Sequence, residues 1–406
     1  MSWKRNLVVL VMVQVLAMAG MSLVMPFLPF YIGHLGVTDP AAQRYWSGLV
    51  LGISLFFAAV MGPVWGTMGD RWGRKKMIVR AIVGTGLAIL AMGFVTNVYQ
   101  LLFLRILQGA LGGFVSASIT LVAALTPRER SGVAVGAIMG SVFAGNAVGP
   151  LIGGGLAEAF GYPAVFRITG CTLLLAAFVT WALVREQKMN HAPGHEPRLL
   201  DTLGAFFRSR HLLAISGALL AVQTSVMMAA PILSLFIKQN LDVTVGLNIK
   251  TGLVFAVTNV ITALSAPVWG HFADNWGHRS VLLWCVIGTA LLLPVQALAP
   301  SVLVLILIRI ALGIFTGGIV PTSRALISHS VPTHRLGGLY GCANAAVLLG
   351  NAFGPMLGGG FAAFYGNRWT FVLSGVCLLA AFFVTYRLIP GHAAQPAAQP
   401  AEEPSS

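Results

Sequence analysis

The chain has 406 residues, of which 57% are hydrophobic and only 9% charged. A soluble domain carries about 25% charged residues, so this one has too few to solvate its surface in water, and a soluble enzyme is excluded. The net charge of +14 would suit nucleic acid only if the basic residues crowded one solvated face, whereas here they interrupt an apolar background.

Crossing about 30 Å of hydrocarbon takes roughly 20 apolar residues. Runs of that kind predict twelve membrane spans, at 7–30, 45–66, 77–96, 99–122, 132–157, 163–184, 212–237, 251–271, 280–299, 302–325, 336–361 and 368–389. The first begins with Lys4-Arg5 and reaches Ala17-Met18-Ala19, which imitates a cleavable signal. Apolar sequence continues to Phe30, however, and the segment has a counterpart mid-chain, so it is expected to stay as span 1. The expected organisation is an N-terminal six-span bundle over 1–184, a polar linker over 185–211, a C-terminal six-span bundle over 212–389 and a low-complexity, disordered tail over 390–406. The LLDTLGAFF stretch of the linker suits a short amphipathic helix on the membrane surface, and His191 and His195 beside it read as solvated residues. Cys171, Cys285, Cys342 and Cys377 all fall in apolar runs and read as small hydrophobes.

Twelve spans return both termini to one side. An inside amino terminus puts 18 of the 25 lysines and arginines on the cytoplasmic side and only Arg44, Arg167, Lys238, Lys250 and Arg368 outside, leaving Arg105 and Arg309 within spans. That is the positive-inside asymmetry, so the basic charge is an orientation signal, with anionic-lipid contact as its secondary effect.

A shift of 204 or 205 residues superposes one half of the chain on the other. GPVWGTMGDRWGRKK from Gly62 aligns with APVWGHFADNWGHRS from Ala266, and Arg105, Gly109 and Gly113 align with Arg309, Gly313 and Gly317. Pro127 and Arg130 match Pro332 and Arg335, Gly145-Asn146 and Gly149-Pro150 match Gly350-Asn351 and Gly354-Pro355, and Pro26 matches Pro231. Agreement in order at five places predicts two parallel six-helix halves, the plan of a transporter that rocks about a midplane site.

Three motifs in this frame resemble those of the major facilitator superfamily, and more narrowly its twelve-helix drug:proton antiporter branch. They are Gly66-x-x-x-Asp70-Arg71-x-Gly73-Arg74-Lys75-Lys76 between spans 2 and 3, Arg105-x-x-Gln108-Gly109 in span 4, and Gly145-x-x-x-Gly149-Pro150-x-x-Gly153-Gly154 in span 5. The opening WKRNL, with SLVMPFLPFYIGHLGV and YWSGLV, is similar to bacterial multidrug exporters of that branch. The resemblance covers all twelve spans. It implies an all-α integral membrane protein of two pseudo-symmetric six-helix bundles, export for the span 5 motif, proton transfer for Arg105, and a conformational lock for the span 2–3 loop.

The residues have readings of their own. Asp70 sits in a short basic loop, where a carboxylate can cap a helix and pair with arginine; Glu129, between Arg128 and Arg130, is a natural partner for Arg71 or Arg74. The glycines of span 5 allow close approach, and Pro150 removes a backbone hydrogen bond, so the helix can bend and pack against the opposite half. Arg105 and Arg309 each lie about 10 Å into a span at 1.5 Å per residue, where an unpaired charge costs several kcal/mol. Arg309 is either a second anion-pairing group or a structural residue bonding helix-end carbonyls.

None of the eleven acidic residues lies at the middle of a span, and span 1 has only Gln14 and Ser22 as polar groups in its body. A lipophilic cation thus lacks a charge partner, so the expected substrates are neutral, zwitterionic or anionic amphiphiles paired with Arg105. Proton coupling would run through Asp70, Glu158 or a histidine. Gln14, Ser22, Gln108, Gln223, Thr224, Thr316 and Arg309 are candidate cavity residues, with Phe27, Tyr31 and Phe236 as aromatic walls.

No ATP-binding loop, HExxH or GxSxG occurs in the chain. The expectation is a non-enzymatic secondary exporter of small amphiphiles, without cofactor, catalytic group or metal. It would use the proton gradient and act as a monomer in the cytoplasmic (inner) membrane of a bacterium, both termini inside. A single-metabolite exporter, a proton:solute symporter of the same fold and a non-transporting membrane sensor are the alternatives.

Overall fold

The computed structural model describes residues 2–127, 130–184, 204, 206–329 and 336–388, apart from the side chains at 2, 67, 70, 71, 211, 328, 329, 336–341 and 343. Arg128, Glu129, the predicted tail and all but the end of the linker, including His191 and His195, lie outside the described residues. Every regular element among the described residues is a helix. Span 1 is built from α1 (Ser2–Leu23) and α2 (Leu28–His34), span 2 from α3 (Pro40–Trp72), span 3 from α4 (Arg74–Met92), and span 4 from α5 (Val98–Leu111) and α6 (Phe114–Leu125). Spans 5 and 6 are α7 (Ser131–Phe160) and α8 (Tyr162–Leu183). Span 7 comprises α9 (Arg210–Met228) and α10 (Ala230–Asn240), and α11 (Leu247–Trp276) to α15 complete the set: α12 (His278–Val295), α13 (Val302–His329), α14 (Leu336–Tyr365) and α15 (Asn367–Leu388).

Eleven of these spans are long and apolar enough to cross a bilayer on their own composition; span 3 is not among them. It is 19 residues long and opens RKK, with Arg80 less than two turns further on. Its helix survives because Ile78, Ala81, Ile82, Thr85 and Ile89 are buried against neighbours, chiefly spans 4 and 6. Tertiary packing supplies what its composition lacks.

The predicted repeat reappears as a packing pattern. Span 1 packs on span 5 as span 7 packs on span 11; spans 2 and 4 pair as spans 8 and 10 do, and spans 3 and 6 as spans 9 and 12 do. Between the halves, span 2 meets span 11 and span 5 meets span 8, contacts that the repeat exchanges. Each half has its own core, one around Leu10, Tyr31, Ile78 and Phe166, the other around Ile232, Phe236, Val286 and Phe371. Phe206, from the end of the linker, joins the second. Outward-facing Phe103, Phe178, Leu264, Trp284 and Leu303 are exposed, as lipid-facing residues must be. Tyr45, Tyr99, Tyr365 and Trp369 at one face, and Trp72, Trp276 and Tyr386 at the other, are exposed near span ends, where amphipathic rings suit the interfaces.

The glycines of span 5 serve two surfaces. A Cβ on Gly145, Gly149 or Gly153 would strike span 1 at Met18, Ser22 or Leu23, within the same half, whereas one on Gly154 would strike Asn248 of span 8. Gly350, Gly354 and Gly358 face span 7 in the same way, and Gly359 faces Gly48 of span 2. The expected packing of span 5 on the opposite half is thus made by Pro150 and Gly154, while Gly145, Gly149 and Gly153 pack within their own half. Positions 145, 149 and 153 form one i, i+4 stripe toward span 1, and Pro150 with Gly154 forms the adjacent stripe toward span 8. Overpacking at such a position costs about 1–3 kcal/mol, so Gly149→Val is expected to lower the melting temperature of the detergent-solubilised protein by several degrees. An unchanged melting curve would contradict this packing.

Among the described residues, the halves meet mainly at one end and along the middle of the bundle, with Arg324 Nη1 of span 10 reaching Met139 Sδ of span 5 at 3.6 Å toward the other. At the face opposite the termini, here the loop face, Gly48 and Gly52 meet Pro355, Ala352 and Gly359, and Pro150 meets Gly252. Arg44 donates to Asn367 Oδ1 and Gln239 Oε1, both at 2.9 Å, and Asn248 Nδ2 donates to Glu158 Oε2 at 2.9 Å. Toward the face bearing the termini, Gly62 and Gly66 of span 2, Gly132, Gly136 and Gly140 of span 5, and Gly270 of span 8 have no neighbouring atom within 4 Å of an added Cβ. The interface spans are packed at the loop face and splayed at the terminal face.

Candidate functional site

The interior polar residues begin with Arg105. Asn97 caps α5 by accepting from the Gln100 N–H at 2.9 Å, and about three turns later Gly109 presses the helix onto the Ser54 carbonyl of span 2. That close approach leaves Arg105 only 7% exposed. Its Nη1 donates to Gln108 Oε1 at 3.3 Å, one helical turn on, and its Nε has no partner. In the second half Gly313 packs on Thr258 and Ile261 of span 8, and Arg309 is 8% exposed with Nε and Nη2 unpartnered. Those two donors do not bond helix-end carbonyls.

Two buried guanidinium groups with spare donors are costly in a medium without water. Each uncompensated interior charge costs several kcal/mol. Among the described acids, Asp39 caps span 2 at the loop face through the Ala42 N–H at 2.8 Å, and Glu158 is engaged by Asn248 at the same face. The Glu158 carboxylate is thus a bridge between span 5 and span 8 at the end of the bundle. The charge partner of the two arginines is missing from the described residues.

The other predicted cavity residues divide sharply. Gln14 Nε2 and Thr224 Oγ1 are buried without a hydrogen-bond partner, so each retains capacity for a ligand. Gln223 is 6% exposed and packs at Gly350. Ser22 Oγ donates to the Gly145 carbonyl at 3.2 Å and so joins spans 1 and 5. Thr316 Oγ1 lies 3.1 Å from Thr262 Oγ1, joining spans 8 and 10. Phe27, Tyr31 and Phe236 do not form cavity walls: Phe27 and Tyr31 pack on Phe166 and Tyr162, with Tyr31 Oη donating to the Met92 carbonyl at 2.7 Å, and Phe236 packs edge-on to Phe371. Phe27 lies in the break of span 1, and Tyr31 and Phe236 lie beyond the breaks of spans 1 and 7, in the closed loop-face end of each half.

The span 2–3 loop turns at Gly73, whose φ of 96° is ready for glycine and strained for other residues. Gly66 is exposed near the end of span 2 and Arg130 at the start of span 5. Arg74 Nη1 donates to the Thr120 carbonyl of α6 at 2.9 Å, a bond within its own half. The Asp70 and Arg71 side chains, and Glu129, lie outside the described residues.

One polar contact has no counterpart in the sequence motifs. Pro150 has no N–H, so the Asn146 carbonyl four residues earlier loses its helical partner. Asn259 Nδ2 of span 8 donates to that carbonyl at 2.8 Å, so one half completes the backbone of the other. The proline at 150 was a readable signal for an orphaned carbonyl at 146; the identity of its partner was not.

A family model described as Major Facilitator Superfamily matches residues 10–235 and 215–405. The Multidrug resistance protein MdtG of Escherichia coli (strain K12 / DH10B) is 34% identical over 383 residues, 94% of this chain and 94% of its own length. Among solved structures, the nucleoside transporter NupG superposes with a TM-score of 0.78 at 12% identity, covering 94% of this chain and 98% of that one. A bacterial homologue of the human lysosomal transporter Spinster, in an inward-facing and occupied conformation, gives 0.76 at 16% identity, covering 94% and 96%.

Proposed function

The chain belongs to the major facilitator superfamily and is a membrane transporter rather than an enzyme, and we propose that it exports drugs or other small amphiphilic compounds by proton-coupled alternating access. The excess of basic residues makes the terminal face the cytoplasmic one. The splayed arrangement then opens toward the cytoplasm, where an exporter collects its cargo. The likeness to a multidrug resistance protein along nearly the whole chain supports the drug-export reading.

The observation that carries the substrate class is the pair of buried arginines with unpartnered donors and no described carboxylate near them. A ligand bearing a carboxylate, phosphonate, sulfonate or strongly polar neutral group supplies the missing partner, and its apolar body is bound by burial. Gln14 and Thr224 add adaptable hydrogen bonds. Asp70 and Glu158 are the acids through which proton movement would be coupled to the motion, since both lie at span ends rather than in the cavity.

Inverted membrane vesicles test the reading. With an imposed inward-acid gradient, a fluorescent anionic amphiphile is expected to accumulate, and an uncoupler to abolish the accumulation. Accumulation in right-side-out vesicles instead would mean import, and binding without uptake in either orientation would mean a sensor.

A further inference from the structure

The apolar run of span 4 predicts one continuous helix, and the structure divides it. It breaks at Gly112–Gly113 between α5 and α6, with Gly113 at φ 105°. Glycine can hold that conformation, whereas most side chains cannot without strain. The carbonyls freed near the break have partners from two neighbouring spans. Trp65 Nε1 of span 2 donates to the Ala110 carbonyl at 2.6 Å, and Arg80 Nη2 of span 3 donates to the Gly112 carbonyl at 3.1 Å. The Arg80 guanidinium also stacks on the Trp65 ring, 3.5 Å from its centroid. A discontinuous helix survives in a membrane only when its exposed backbone groups are satisfied in this way.

The second half is an internal control. Trp269, the repeat partner of Trp65, donates to the Ile314 carbonyl at 2.6 Å, the position equivalent to Ala110. Yet span 10 runs unbroken from Val302 to His329. Two things differ. Thr316 and Gly317 stand where span 4 has Gly112-Gly113, and the Thr316 hydroxyl bonds its own helix at the Leu312 carbonyl. Trp284, outward-facing and exposed, stands at the repeat position of Arg80. Indole donation alone therefore does not divide a helix; the arginine and the glycine pair are the added elements.

We infer that Arg80, stacked on Trp65, is a positioning residue that holds span 4 in two pieces, and that α5 swings on Gly112–Gly113 during transport, carrying Arg105 and Gln108 with it. A static staple would use its donors fully. Arg80 instead keeps Nε and Nη1 buried and unpartnered, donors available to other carbonyls of α5 as the angle at the break changes. The planar guanidinium sliding on an indole face permits such exchange without loss of the stacking contact. Both pieces pack on span 3, α5 also on span 2 and α6 also on span 5, so their partners outside span 3 differ and a change in angle moves the arginine relative to the terminal-face half of the span.

The inference rests on the transporter assignment alone, and its principal readout needs no cargo. Spin labels at Phe103 and Ala123, both exposed on α5 and α6, would be placed in a background with Cys171, Cys285, Cys342 and Cys377 changed to alanine. In Arg80→Gln the label distance is expected to lengthen toward the roughly 30 Å that 20 residues span in one straight helix. The maximal transport rate in vesicles is expected to fall about tenfold or more with KM changed less than about twofold, the mark of a slowed conformational step. Arg80→Lys, which keeps one donor without the planar stack, is expected to recover part of the rate, and Trp65→Phe to move the distance in the same direction by less. If Arg80→Gln cannot be purified folded, the lysine and Trp65→Phe variants carry the test. Wild-type label distance in the folded variants overturns the inference even where transport is slowed, and so does a wild-type rate with an altered distance. A cargo other than an amphiphile would leave the label distances as expected and would overturn only the substrate reading.

Discussion

Arg309→Met is expected to raise the melting temperature of the solubilised protein while weakening its affinity for anionic amphiphiles by about 10- to 100-fold. Both effects follow from one observation, a guanidinium 8% exposed with two unpartnered nitrogens. Replacing an uncompensated buried charge with an apolar group of similar length removes its desolvation cost, which stabilises the empty protein. A hydrogen bond to a charged group is worth about 1.5–3 kcal/mol, or roughly one to two decades in affinity. Arg105→Met is expected to act in the same direction, with Gln108 then losing its partner at 3.3 Å. Melting curves with and without an anionic ligand, beside transport of a neutral one, measure both effects. A loss of stability with unchanged anion affinity would return Arg309 to a structural role.

The Asn259 contact gives the second large effect. Asn259→Val is expected to shift the protein away from the state closed at the loop face, because the Asn146 carbonyl orphaned by Pro150 would lose its 2.8 Å donor. An unsatisfied buried carbonyl costs about 1–3 kcal/mol, which changes a two-state population ratio by roughly 5- to 150-fold. Tyr99 and Trp369, exposed at the loop face on opposite halves, are suitable positions for spin labels, whose separation is expected to increase. Pro150→Ala supplies the missing N–H from within the helix, so Asn259→Val in that background is expected to have little further effect. The double-mutant cycle isolates the coupling; additive shifts would show that the contact does not bias the equilibrium.

Much of the architecture was legible because membrane insertion imposes simple rules. Lipid requires runs of about 20 apolar residues, and those runs located the spans. The displaced copies of Pro26, Trp65, Arg105 and Gly149 pointed to a two-fold repeat, which the paired span contacts reproduce. Span 3 reads as a span despite its basic start, and its buried face explains why it holds. The divided form of span 4 was missed, although adjacent glycines at 112 and 113 are a turn signal. Hydropathy averages over a window and cannot distinguish a continuous helix from two half-helices.

By itself, the sequence determined that this protein lives in a bilayer, that its spans fall into two related halves, and that its two interior charges are positive. Those properties depend on composition and spacing, which a membrane reads directly. Only the tertiary structure decided which side chains are spent on packing and which remain available. It assigned Phe27, Tyr31, Phe236 and Ser22 to contacts within each half and left Arg105 and Arg309 with unpartnered donors. It also joined Asn259 to Asn146 and Arg80 to Gly112 across different spans. Hydrogen-bond partners so far apart along the chain are chosen by how helices approach one another, and that geometry is absent from any local pattern of residues.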